Sequence, residues 1–365
     1  MLKKLTYTLL ILGLVLAFIG CTPAATPAPE QAPEEAPEEV AQEAPEEAPE
    51  EMADKPKVAM IIAQGGLGDR SYNDLAYSGL EKAGEEFGIE VKAIESADPV
   101  GEAEQLLRTA AESGFDLVIT LEYSHFDPLA RVAPDYPDTL FSIVNIVVDQ
   151  PNVVSILFKE HEGSFLAGAL AAQVTAMEDN PKVNEDKMIG VIGGVQSAGI
   201  DKFLVGYEEG AEYVDPDVEV LTAYSEGFSD PAKGKELTLA MYEQGADIVY
   251  HVAGGTGEGV FEAAEEMEHY AIGVDANQDY IKPGYILTSM LKKVDVSVYD
   301  VVKRLVEGTL EGGQTVEYGL IEGGVGLSEM EFTKDEIPQE FLDKVDEIRQ
   351  MIEDGEIQVT DITKE

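Results

Sequence analysis

The residues of this chain that could do chemistry stand just beyond the ends of short apolar runs. After KVAMIIA (57–63) comes Gln64-Gly65-Gly66-Leu67-Gly68-Asp69-Arg70-Ser71-Tyr72-Asn73. Asn145 lies near the end of TLFSIVNIVV (139–148). Phe228 follows VLTAYS, Gly254 and Gly255 follow IVYHVA, Asp275 follows YAIGV, and Lys292 and Lys293 follow ILTSML. Tyr72 and Phe228 offer flat apolar faces for stacking. Asp275 only accepts hydrogen bonds and a lysine only donates, whereas the amides of Gln64, Asn73 and Asn145 do both. Gly254 and Gly255 would let bare backbone approach a ligand. These are tools for holding a small molecule. A Gly-x-Ser-x-Gly elbow is missing, and no carboxylate cluster beside a His commits the chain to hydrolysis, so no catalytic residue is assigned. The four histidines are scattered, with no zinc spacing, and no metal or cofactor is expected. Gly254 to Gly259 looks like a phosphate loop but lacks its Gly-Lys-(Ser/Thr) ending. Plainer roles stay open. Tyr72 and Phe228 could be core aromatics, Asp275, Asp69 and Ser71 helix caps, and Lys292 or Lys293 a surface lysine.

These positions need elements to hold them. Apolar runs alternate with helical stretches all along the folded part. The strands are 57–63, 89–95, 115–121, 139–148, 152–158, KMIGVIGG, VEVLTAYS, ADIVYHVAGG, 270–276 and 284–291. Helices are expected over 71–87, 102–113, 128–135, 163–177, 198–214, 231–244 and 257–267. Such βα alternation argues for parallel sheets flanked by helices, an α/β fold, and its length suggests two sheets. In open α/β sheets ligands bind beyond the carboxyl ends of the strands, where the residues above stand.

The chain has 365 residues, 44% of them hydrophobic, enough to bury a large core. Its net charge of −48 repels phosphate backbones, so nucleic acid is excluded as a partner. Residues 1–20 read as a signal peptide: Lys3 and Lys4, an apolar run from Leu9 to Ile19, then Gly20. Phe18-Ile19-Gly20-Cys21 resembles a bacterial lipobox, which implies a lipid on Cys21, the only cysteine. Residues 21–55 are rich in Pro, Ala and Glu, cannot bury a core, and are expected to form an extended tether.

Taken in order, the motifs from Lys57 to about Ile357 resemble those of the basic membrane protein family of bacterial lipoproteins. The match runs through Gly65 to Asn73, Pro151 to Ser155, Gly163 to Gly168, Phe228 to Glu236, Ala253 to Gly257, Ala271 to Asp275 and Thr288 to Lys292. That family comprises substrate-binding proteins of ABC importers, among them purine nucleoside receptors. The resemblance implies a two-lobed periplasmic-binding-protein type I fold with three hinge crossovers. It places 56–160 plus about 291–312 in one lobe, and 161–290 plus about 313–365 in the other.

The resemblance also implies site roles. A purine would stack between Tyr72 and Phe228, Asp275 and Lys292 would hold the ribose, and Gly254 or Gly255 would approach the ligand. Gln64 and Asn145 stand where that family commonly has Asp. An amide can pair with adenine, so adenosine should be tolerated better than by an Asp-bearing relative. The implied protein is a monomer, lipid-anchored at the extracytoplasmic face of the cell membrane, working with an ABC permease and ATPase. A sensing lipoprotein, a receptor for a sugar or vitamin, and a nucleoside-cleaving enzyme are the competing readings.

Overall fold

The computed structural model describes residues 55–364; the expectations for the leader, Cys21 and most of the tether lie outside them. The chain begins β1 (Lys57–Ile61), α1 (Tyr72–Phe87), β2 (Glu90–Ile94), α2 (Ala103–Glu112), β3 (Leu117–Thr120), α3 (Phe126–Val132), β4 (Leu140–Val144) and β5 (Val153–Phe158). It continues α4 (Glu160–Thr175), β6 (Met188–Gly193), α5 (Ala198–Val214), β7 (Glu219–Tyr224), α6 (Pro231–Glu243), β8 (Ala246–Val252), α7 (Gly257–Met267), β9 (Tyr270–Asp275) and β10 (Ile286–Lys292). It ends α8 (Val294–Val306), β11 (Gln314–Tyr318), β12 (Val325–Leu327) and α9 (Gln339–Glu353).

Two six-stranded sheets result, ordered β11-β5-β4-β3-β1-β2 and β12-β10-β9-β8-β6-β7. The inner strands β3 and β8 are buried at every position, and their sequences are mostly apolar as those of parallel strands covered on both faces are, Thr120, Asp247 and His251 being the buried polar exceptions. All pairings are parallel except β10 with β12. The chain passes between the sheets three times, after β5, after β10 and after β11. This is the α/β architecture with three crossovers anticipated above.

One placement differs. β11, expected with the second lobe, hydrogen-bonds in parallel to β5 at the edge of the first sheet. The first sheet keeps that edge free for a late strand, because α8 returns the chain to α1 before β11 begins. β12 and α9 then go to the second sheet's side, β12 pairing with β10 and α9 packing on α4.

Every residue of α4 is buried, which explains its small side chains. A Cβ on Gly168 would lie 2.0 Å from the Tyr207 carbonyl oxygen of α5. The two helices meet backbone to backbone, and only glycine allows that approach.

Candidate ligand site between the sheets

The loop from Gln64 to Ser71 is the organising piece. Gly65, Gly66 and Gly68 all have positive φ, so the chain turns tightly off β1 and delivers Tyr72 as the first residue of α1. Asp69 caps that helix, accepting from the backbone N–H of Ser71 at 2.9 Å, Asn73 at 2.9 Å and Asp74 at 3.1 Å. Ser71 makes no side-chain cap bond; its hydroxyl instead donates to Asp275 Oδ2 at 2.6 Å. The same loop reaches the second sheet again. Gln278 Nε2 donates to the Arg70 carbonyl at 3.1 Å, and Arg70 pairs with Glu258 at 3.3 Å.

Between the two sets of loops lies a cavity of about 440 Å³. Gln64, Tyr72, Asn73, Asn145, Phe228, Gly254, Asp275 and Lys292 all line it. Gly255 does not; it packs beside Asp69 and the Phe228 carbonyl instead. Asn73 reaches the cavity, but its amide ties the loop down, accepting from Ala63 N–H at 3.0 Å and donating to the Gln64 carbonyl at 3.3 Å.

Asn145 and Asp275 both hold left-handed backbone, at φ 75° and 64°. Asn and Asp tolerate that region better than most residues, and strain of this kind collects at functional sites. Asp275 ends β9 and no helix follows directly, so the capping role falls away. Burial pushes its carboxyl from 3.8 up to about 6; Lys292 and the Ser71 hydroxyl pull the other way. Phe228 lies against the backbone of Gly194, where any Cβ would collide with its ring. The Tyr72 phenol donates to the Leu121 carbonyl at 3.1 Å and accepts from Asn145 Nδ2 at 3.2 Å.

Lys292 is 2% exposed and lines the cavity, whereas Lys293 is exposed outside it. The Lys292 ammonium donates to Asn145 Oδ1 at 2.7 Å and sits 5.0 Å from the centroid of the Tyr72 ring. It also pairs with the buried Glu160 at 2.8 Å; Glu160 in turn pairs with the buried Lys202 at 2.6 Å. Lys202 finishes the chain by donating to the Phe158 carbonyl at 2.8 Å. Phe158 ends β5 and Glu160 opens α4, so this charged triad sits where the chain first leaves one sheet for the other.

Sequence reasoning missed several lining residues, above all Glu122, with Tyr123, Ser124 and Phe203. Glu122 was within reach of the same rule, since it stands directly after the run 115–121. The lining carries three carboxylates, Asp69, Glu122 and Asp275, against one ammonium that Glu160 already faces. Phosphate would be repelled there. Among the described residues no group of three or more His, Cys, Asp or Glu is placed to hold a metal.

The family profile described as ABC transporter substrate-binding protein PnrA-like matches residues 55–363. The chain is 36% identical over 327 residues to the CD4+ T-cell-stimulating antigen of Listeria innocua, spanning 83% of this chain and 87% of that one. It is 34% identical over 324 residues to the ABC transporter nucleoside-binding protein BmpA of Lactococcus lactis, spanning 83% and 88%. Among solved structures, an ABC transporter solute-binding protein of Aeropyrum pernix superposes with a TM-score of 0.75 at 30% identity, covering 83% of this chain and 93% of that one. With that breadth of match, two sheets linked by crossovers and a ligand-sized cleft between them, the chain belongs to the Bmp family of PnrA-like ABC transporter substrate-binding proteins.

Proposed function

We propose that this protein captures a purine nucleoside between its two sheets outside the cell and passes it, unaltered, to an ABC permease and ATPase. The observation that carries the reading is one cavity holding two aromatic rings, Tyr72 and Phe228, together with the buried Asp275 and Lys292. Stacking a base on an aromatic ring contributes roughly 1–3 kcal/mol. Asp275 can accept from two neighbouring ribose hydroxyls, and Lys292 donates beside it. The acidic lining favours an uncharged nucleoside over a nucleotide. The cavity volume falls within the usual small-molecule range of about 300–1,000 Å³. A relative named as nucleoside-binding supports the same ligand class.

Calorimetric titration with guanosine, inosine and adenosine should give saturable binding of at least one, with the nucleoside recovered intact by mass spectrometry. Binding of none, or release of free base, would sink the reading.

The lipid on Cys21 belongs to the same proposal. Among the described residues no helix is long and apolar enough to cross a membrane, so the tether rests on the lipobox-like Phe18-Ile19-Gly20-Cys21. A Cys21→Ser variant should move from the membrane fraction to the soluble fraction. Unchanged fractionation would rule out the anchor.

A further inference from the structure

Glu122 is a carboxylate on the cavity wall, 4% exposed. Its Oε1 accepts from three donors: Ser124 Oγ at 2.9 Å, Ser124 N–H at 3.2 Å and Gln64 Nε2 at 3.4 Å. Its Oε2 accepts from one, the Gln64 N–H at 3.0 Å, leaving a lone pair uncommitted. An ionised carboxylate cannot donate, so Gln64 must turn its NH2 toward Glu122 and present its own Oε1 elsewhere. Among the described residues no donor reaches Gln64 Oε1. The wall built by these two residues therefore offers acceptors. Asn145 only partly offsets this, because Lys292 donates to its oxygen and one of its two N–H bonds goes to the Tyr72 hydroxyl, leaving a single N–H. The buried carboxylates Glu122 and Asp275 come from opposite sheets, so one can face a base while the other faces a sugar.

We propose that Glu122, with Gln64 oriented by it, selects the ligand through its N–H donors. The site then takes guanine and hypoxanthine nucleosides, whose N1 carries a proton, ahead of adenine nucleosides, whose N1 is a bare acceptor. Guanine adds a 2-amino donor beside N1–H, giving two adjacent donors for two acceptors. An adenine N1 lone pair would face a carboxylate lone pair, which is repulsive. This deepens the nucleoside reading and rests on it, and it reverses the adenosine tolerance expected from Gln64 and Asn145 as free amides.

The test is calorimetry with guanosine, inosine, adenosine and 1-methylguanosine. Guanosine should bind at least about tenfold more tightly than adenosine, and the N1-methyl group should cost at least about tenfold. Glu122→Gln, whose amide can donate to adenine N1, should narrow the guanosine-to-adenosine ratio at least about fivefold. An unchanged ratio in the folded variant overturns the proposal and leaves nucleoside binding standing. So does equal affinity of the wild type for guanosine and 1-methylguanosine, a comparison that decides alone if the variant does not fold. Binding of none of the four compounds overturns the nucleoside reading and this inference with it.

Discussion

Glu160→Ala should destabilise the folded protein by about 3–5 kcal/mol, the cost of leaving buried charge uncompensated. Glu160 lies between two buried ammonium groups, Lys292 at 2.8 Å and Lys202 at 2.6 Å. Burial works to raise its carboxyl, but the two lysines outweigh that and hold it well below 4.5. The triad carries two positive charges and one negative. Removing Glu160 strands two like charges, whereas Lys202→Met leaves a balanced pair of Glu160 and Lys292. Denaturant unfolding at neutral pH should therefore show a smaller loss for Lys202→Met than for Glu160→Ala; equal losses would mean that packing, not charge, sets the cost. A lowered carboxyl contributes its stability fully above the unfolded value near 4.5. That contribution should fade as pH falls toward about 2, the folded value, and only in proteins that retain Glu160.

The second expectation is a variant that is more stable and does not bind. The Asp275 carboxyl is raised by burial from 3.8 to about 6, so its ionised form opposes folding at neutral pH. A raised carboxyl gives its stability below the unfolded value and loses it as pH rises through the folded one. A rise of that size corresponds to roughly 3 kcal/mol. Asp275→Asn removes that penalty and keeps an oxygen for the Ser71 hydroxyl. The unliganded variant should melt higher than the wild type at pH 7.5, with the gap closing by about pH 4. Its nucleoside affinity should fall at least about 100-fold, since each charge-assisted hydrogen bond to a ribose hydroxyl is worth about 1.5–3 kcal/mol. Wild-type affinity for the 2′-deoxynucleoside should fall by one such bond. Full binding by Asp275→Asn would remove Asp275 from the sugar site.

Much of this is legible in the residues, for physical reasons that can be named. The helices at 198–214 and 257–267 match their sequence reading, and α6 begins at Pro231 behind a cap from Asp230. Those helices have polar outer faces, and their ends carry local signals. For α4 the sequence pattern starts three residues late, at Gly163. A helix buried on all sides has no polar stripe to mark its phase, and Glu160 and Glu162 read as surface until their lysine partners are seen. β11 carries no strand signal of its own. QTVEY is short and mostly polar, and its partner β5 lies far back in the chain, so no local pattern announces it. Lys292 and Lys293 are indistinguishable in sequence. The end of β10 separates them: Lys292 is its last residue, and Lys293 is the N-cap of α8, where the chain has already left the strand. Asp275 and Asn145 follow from the rule that ligands lie beyond strand ends; their left-handed backbone is not readable in advance. Glu122 satisfies that rule equally, but it lies outside the motifs shared with the family, and nothing local distinguishes it from a surface carboxylate.

The late return of the chain to both sheets also bears on how the protein comes into being. The first sheet lacks its outer strand until residues 314–318 exist, and the second lacks β12 until 325–327. Helix α1 waits for α8, which begins at Val294. Contacts this distant in sequence make folding slow, because the chain must close large loops before they reward it. A growing polypeptide of this design completes neither sheet before β11 is made, and the second only after β12 follows it. Both sheets therefore lack an edge strand until synthesis is almost finished, which favours a chain that folds only once it is whole.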